Sequence, residues 1–251
     1  MSSSRVVPEM KVLACFLLLS ALLGACTADS PPPETQPPTP TETPACPNQS
    51  TTIEDGAALV GEPVEDNVDG DGVRDTISIH MDPTGDAECR TFLTVETGAG
   101  SFSSSAWLVG EEGGLPEPRI TAIVDIDSDG YKEIVLDEAT GASTRFVGAY
   151  RITAGGLVWL RSREPHGLFA YGGSVGHLEA VGCAAEGTIV VSTAMPAADG
   201  SAQTYSVRRR TFSVSDDKLE PEKTERHSIS IHDLERFPEY RTSPFGNCSP
   251  N

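Results

Sequence analysis

The stretch Asn67-Val68-Asp69-Gly70-Asp71-Gly72-Val73-Arg74-Asp75 runs straight into Thr76-Ile77-Ser78-Ile79. It has a second copy, because Asp125-Ile126-Asp127-Ser128-Asp129-Gly130-Tyr131-Lys132-Glu133 runs into Ile134-Val135-Leu136. Both read [DN]-x-D-x-D-G-x-x-[DE] followed by a run suited to a strand. Oxygen-bearing side chains at positions 1, 3, 5 and 9 suit a hard cation, which takes about six to eight oxygen ligands at roughly 2.3–2.6 Å. Glycine at position 6 permits the sharp turn that folds such a loop round an ion. The candidate ligands are therefore Asn67, Asp69, Asp71 and Asp75 in the first loop, and Asp125, Asp127, Asp129 and Glu133 in the second. The carbonyls of position 7, Val73 and Tyr131, are natural additions, and one hard cation is expected in each loop. An EF-hand is excluded, since position 12 is Ser78 or Leu136 rather than glutamate and the flank is a strand rather than a helix.

The two loops set a period for the rest of the chain. Asp71-Gly72 returns as Asp129-Gly130 after 58 residues, and Glu186-Gly187 follows 57 residues later. That last pair lies between Leu178-Glu179-Ala180-Val181 and Thr188-Ile189-Val190-Val191, with Gly182, Cys183 and Ala184 where acids would stand. Self-similarity at such a spacing is the mark of a repeated supersecondary unit. Alternating or β-branched runs include Thr76-Ile77-Ser78-Ile79-His80, Thr91-Phe92-Leu93-Thr94-Val95 and Ser105-Ala106-Trp107-Leu108-Val109. Others span residues 120–124, 133–136, 145–152, 157–160, 188–192 and 204–214, with Gly, Pro, Asn and Asp clustered between them. A helical turn or two fits only at 179–185 and 230–236. The expected fold class is all-β.

The N-terminus reads as an address. Arg5 and Lys11 precede the apolar run 12–23, which is short for a membrane span but right for a signal-peptide core. The run ends in Leu23-Gly24-Ala25-Cys26, small residues before a thiol that can carry a fatty acyl chain such as palmitate. Residues 1–25 are expected to be removed, leaving Cys26 as the lipidated first residue on the outer face of a cell membrane. Residues 26–45 hold the Pro-rich stretch TADSPPPETQPPTPTETPA, which favours an extended, semi-rigid spacer. The folded domain is expected over 46–251.

The whole chain carries a net charge of -19. Loss of Arg5, Lys11 and Glu9 with the leader leaves 16 basic against 36 acidic residues. That balance excludes a nucleic-acid-coating surface and a polybasic membrane-docking face. Four cysteines remain beyond Cys26: Cys46, Cys89, Cys183 and Cys248. An even count in an exported protein favours two disulfides, with three possible pairings. Cys46–Cys89 with Cys183–Cys248 is the pairing weakly favoured here. Zinc is disfavoured, as no C-x-x-C pair or nearby histidine gives ligand spacing.

The two loops and their setting resemble FG-GAP and VCBS-type repeats, the calcium-binding β units of integrin-like propellers and many bacterial surface proteins. The resemblance covers residues 64–81 and 120–140 well, and 175–195 faintly. It implies blades of about four strands, each with its loop joining adjacent strands round one calcium. Asn67 replaces the usual first acid, and the Phe-Gly…Gly-Ala-Pro signature is missing. Room for three to four units implies a partial or compact propeller-like domain rather than a full ring. By resemblance, the role would be non-catalytic binding or scaffolding at the cell envelope, with an unidentified envelope or extracellular partner.

Two other readings compete. Gly172-Gly173-Ser174-Val175-Gly176 matches the G-x-S-x-G elbow of serine hydrolases, with Asp199, Asp216, His227 and His232 following in the right order. The segment 176–182 is a poor helix for such an elbow. Trp107 and Trp159, read first as core residues, would serve a cell-wall carbohydrate-binding module if exposed. The histidines at 80, 166, 177, 227 and 232 show no metalloprotease spacing. Arg208-Arg209-Arg210 reads as part of a strand edge paired with nearby acids.

Overall fold

Each acidic loop closes a pair of antiparallel strands. Strand β1 (Ala58–Asp66) enters the first loop and pairs with β2 (Asp75–Met81), which leaves it. Strands β6 (Arg119–Val124) and β7 (Glu133–Thr140) flank the second loop in the same way. The computed structural model describes residues 56–83, 90–106, 109–110, 118–162, 167–185, 187–197, 203–215 and 218–248. A third pair, β11 (His177–Ala185) and β12 (Thr188–Pro196), turns at Gly187 without the acids.

Two further strands extend each pair as a meander. β3 (Thr91–Thr97) and β4 (Gly100–Ala106) complete the first group, giving the order β1-β2-β3-β4. β8 (Thr144–Thr153) and β9 (Gly156–Leu160) complete β6-β7-β8-β9. β13 (Thr204–Ser215) and β14 (Lys218–Ser230) complete β11-β12-β13-β14. β5 (Val109–Gly110) runs parallel to β7, and β10 (Phe169–Ser174) bonds to β8 on one side and β11 on the other. The first group is thus a separate four-stranded sheet, while β10 joins the others into one ten-stranded sheet. Neither closes into a barrel.

The strand period of two decides what each group faces. In β7, Ile134 and Leu136 pack with Ile77, Ile79, Leu93 and Val95 of the first sheet. Val135 points the other way and packs with Val147, Ala149, Phe169, Ile189 and Val191. A strand buried on both faces reads as a continuous apolar run rather than an alternation, which is how Ile134-Val135-Leu136 reads. A third cluster, Ala194, Tyr205, Val207 and Leu234, lies under 3-10 turns at Ile231–Arg236 and Pro238–Tyr240. The successive groups therefore share cores, and the C-terminal turns cover the last one.

A disulfide joins Cys183 to Cys248 (S–S 2.12 Å) and fastens the C-terminal segment to β11. Asn247 reinforces the join: its Oδ1 accepts from Cys183 N at 3.1 Å and its Nδ2 donates to Cys183 O at 2.7 Å. A Cβ at Gly182 would lie 2.0 Å from that Oδ1, so the close approach requires glycine. Cys26, Cys46 and Cys89 lie outside the described residues.

Three expectations change. Residues 179–185 form a strand, not a helical turn, because β11 is paired on both sides and sends Val181 into the core. β14 has no sequence forecast, since Lys218-Leu219-Glu220-Pro221-Glu222-Lys223-Thr224-Glu225-Arg226 carries no apolar alternation. Its charge and its Pro221, at a register shift, suit an edge strand. Arg208-Arg209-Arg210 does not lie at an edge, because β13 runs between β12 and β14. Its pairing with acids does hold, as Arg209 Nε donates to Glu239 Oε1 at 2.7 Å and Nη1 to Glu225 Oε2 at 3.2 Å. The turn expected at 230–236 is the 3-10 turn Ile231–Arg236, with Ser230 Oγ accepting from His232 N.

Candidate metal centre

The two acidic loops are built alike, position by position. The position-9 carboxylate turns inward and accepts the N–H of position 2: Asp75 Oδ2 from Val68 N at 2.8 Å, Glu133 Oε2 from Ile126 N at 2.7 Å. Val68 and Ile126 are themselves buried core residues, so the apolar position 2 anchors the loop that the acid closes. The position-5 carboxylate accepts from position 7: Asp71 Oδ1 from Val73 N at 2.7 Å, Asp129 Oδ1 from Tyr131 N at 2.9 Å. Position 4 is left-handed in both, Gly70 at φ 74° and Ser128 at φ 62°, and so is position 6, Gly72 at 84° and Gly130 at 91°. Position 1 caps a loop amide in each, with Asn67 Oδ1 accepting from Gly70 N and Asp125 Oδ2 from Gly130 N.

The loops also touch one another. Lys132 N donates to Val68 O at 3.0 Å, and Lys132 Nζ pairs with Asp66 Oδ1 at 2.7 Å. A Cβ at Gly70 would stand 2.9 Å from Gly130 O, and one at Gly187 would stand 2.9 Å from Asp127 O. The third turn, though it lacks the oxygen-bearing side chains at positions 1 and 3 of the other loops, therefore abuts the second loop much as the second abuts the first.

Each loop gathers three carboxylates whose ligand oxygens lie within 4.8 Å of one another: Asp69, Asp71 and Asp75 in one, Asp125, Asp127 and Glu133 in the other. Either trio can hold a metal ion. In the first, Asp75 is 1% exposed and its Oδ1 is buried without a hydrogen-bond partner. Among the described residues no lysine or arginine pairs with Asp69, Asp71 or Asp75. A buried, unsatisfied carboxylate oxygen beside two more carboxylates is costly unless a cation neutralises it. The donor set thus fits a hard divalent ion.

In the second loop Asp125 Oδ1, Asp127 Oδ1 and Glu133 Oε1 are likewise buried without hydrogen-bond partners, but this loop has a cation of its own. Arg151, on β8, donates through Nη1 to Asp127 Oδ2 at 2.8 Å and through Nη2 to Asp129 Oδ2, with Nε 3.8 Å from Glu133 Oε1. Asp129, expected as a ligand, therefore stands outside the trio and faces the guanidinium. Burial pushes the carboxyl of Asp127 above the usual carboxylate range, and burial pushes Glu133 up to about 8. A further acid on β7, Glu138, is wholly buried at a register shift, where Tyr150 Oη donates to its Oε1 at 2.5 Å. Burial raises its carboxyl to about 8, which favours the protonated form. Neither Arg151 nor Glu138 has a local sequence signal that singles it out.

Of the competing sites, G-x-S-x-G forms no elbow. Ser174 ends β10 opposite His177 of β11 across a hairpin, so the serine sits in a strand-to-strand turn with no helix behind it. His177 Nε2 is bonded to Thr144 Oγ1 at 2.9 Å, and His227 packs its ring 5.2 Å from that of Phe237. Asp199 and Asp216 lie outside the described residues, as does Trp107. Trp159 is half-buried, its ring stacked on Tyr150 at 6.4 Å and overlain by Arg161 at 5.1 Å. Comparison with protein-family models, curated proteins and solved structures finds no match to the chain.

Proposed function

We propose that the chain is an exported lipoprotein whose β domain is ordered by calcium and serves as a non-catalytic binding or scaffolding module at the cell envelope. The observation that carries this is the trio Asp69, Asp71 and Asp75, with its buried, unpartnered Asp75 oxygen, in a loop whose architecture the chain repeats. Three successive four-stranded meanders, each begun by a strand–turn–strand unit at the same sequence period, support a partial propeller of FG-GAP or VCBS-like blades. Calcium is favoured over magnesium because these carboxylates sit in an irregular loop, whereas magnesium demands near-ideal octahedral geometry and keeps several waters.

An ion bound only by the folded state adds RT ln(1 + [L]/Kd), roughly 3 kcal/mol at a hundredfold excess over Kd. Millimolar extracellular calcium fills even weak sites. The ion's task in this reading is to hold β1 and β2 in register and to neutralise the first loop where it meets the second. The proline-rich segment 26–45 would carry the domain away from the membrane on an acyl chain attached to Cys26. Incorporation of a labelled fatty acid by cells expressing the chain, lost in Cys26→Ser, tests the anchor. Calcium-dependent thermal stability, lost in Asp71→Asn, tests the ion.

A further inference from the structure

Both strands leaving the acidic loops pair with a following strand, and the register identifies which residue faces the position-9 acid. In the second group Ile134 pairs with Tyr150, so the next step along the ladder sets Glu133 opposite Arg151. In the first group Thr76 pairs with Glu96, which sets Asp75 opposite Thr97. Arg151 and Thr97 are thus structural counterparts. Thr97 is short and neutral, and its Oγ1 accepts from Ala99 N within its own turn. Arg151 is long enough to reach back over the loop.

The consequence is read oxygen by oxygen. The position-9 oxygen not bonded to the backbone is Asp75 Oδ1 in the first loop and Glu133 Oε1 in the second. Neither accepts a hydrogen bond, but the second has a cation beside it, Arg151 Nε at 3.8 Å, whereas the first has none among the described residues. The second oxygen of the position-5 aspartate is taken by Arg151 Nη2 in the second loop. Arg151 is 10% exposed at its side chain, as is Asp127, so water does little to screen this group. The unpartnered oxygens of the trio, Asp125 Oδ1, Asp127 Oδ1 and Glu133 Oε1, would hold a dication close to the guanidinium, and like charges repel strongly in such a half-buried setting.

We propose that Arg151 is the built-in cation of the second loop, so that the chain takes one divalent ion, in the first loop, rather than one in each. The proposal rests on the calcium reading of the first loop, and a single experiment separates the two. The full-length chain is stripped with EDTA and titrated with calcium by calorimetry, alongside Asp71→Asn, Asp129→Asn, Arg151→Thr and Arg151→Thr/Asp127→Asn. Expected are one ion per chain in the unaltered protein, none in Asp71→Asn and one in Asp129→Asn. Arg151→Thr should bind two, and the double variant should return to one. Two ions in the unaltered protein, or no gain in Arg151→Thr, would overturn the role of Arg151. No ion in the unaltered protein would overturn the calcium reading of the first loop alone. The guanidinium would then be judged by Arg151→Thr: one ion sensitive to Asp127→Asn supports it, and none overturns it. If Arg151→Thr folds only in calcium, the ion is standing in for the guanidinium and the proposal is supported. Failure to fold even in calcium overturns it.

Discussion

The first and second acidic loops share nearly every backbone feature and differ in how their buried acid is neutralised. Asp75 and Glu133 each bury a carboxylate oxygen that accepts no hydrogen bond, but among the described residues only Glu133 has a cation beside it, Arg151 Nε at 3.8 Å. Glu138, twelve residues before its partner Tyr150, has no cation beside it among the described residues, and burial favours its protonated form. The lesson is that a loop motif fixes the backbone cradle, while the residue across the ladder sets the charge beside it. Two copies of one motif need not hold two copies of one ligand.

The contrast can be broken most forcefully at Arg151. Without calcium, Arg151→Thr leaves Asp127 and Glu133 buried and unpaired, and removal of one partner of such a group costs about 3–5 kcal/mol. Asp71→Asn under the same conditions should cost far less, since it removes one of several like charges. Urea unfolding of both variants in EDTA measures the difference, and equal losses would dissolve the distinction between the loops.

Glu138 sharpens it through pH. Its folded-state pKa, about 8, lies above the ordinary carboxylate value. The folded protein therefore keeps a proton that the unfolded chain has released, and this group's contribution falls as pH rises from about 4.5 towards 8, at up to ~1.4 kcal/mol per pH unit. Glu138→Gln retains the acceptor for Tyr150 and removes that dependence. It should be more stable than the unaltered protein by roughly 2 kcal/mol at pH 8 relative to the difference at pH 6. Parallel stability–pH curves for the two proteins would show that burial does not hold the proton.

The smallest effect compares position 4. Ser128 holds the left-handed backbone that Gly70 adopts freely. Ser128→Gly relieves that strain but loosens the unfolded chain, and should change stability by no more than about 1 kcal/mol, on balance upward. Gly70→Ala should instead destabilise by about 2 kcal/mol, from the same backbone strain and its approach to Gly130 O. Melting temperatures of the two variants check the pair.

Much of this was legible in the sequence. The loops, the strands around them and the strand at 188–192 follow from local pattern, because turn chemistry and a period of two are local physics, whereas 179–185 also suited a helical turn. β14 was hidden because a charged edge strand is specified by its neighbour rather than by its own apolar alternation. Arg151 was hidden for a different reason. It stands 18 residues after Glu133, whereas Thr97 stands 22 after Asp75, since the intervening hairpins differ in length. The period that aligns the loops therefore does not align the residues that face them, and only the ladder register does.

The most direct test of calcium ordering is a thermal melt of the full-length chain in millimolar calcium against excess EDTA, with magnesium as control and Asp71→Asn beside the unaltered protein. A rise in melting temperature with calcium, much smaller with magnesium and absent in Asp71→Asn, is the expected result. Identical melts in calcium and EDTA would contradict it and leave both loops as acidic turns without an ion.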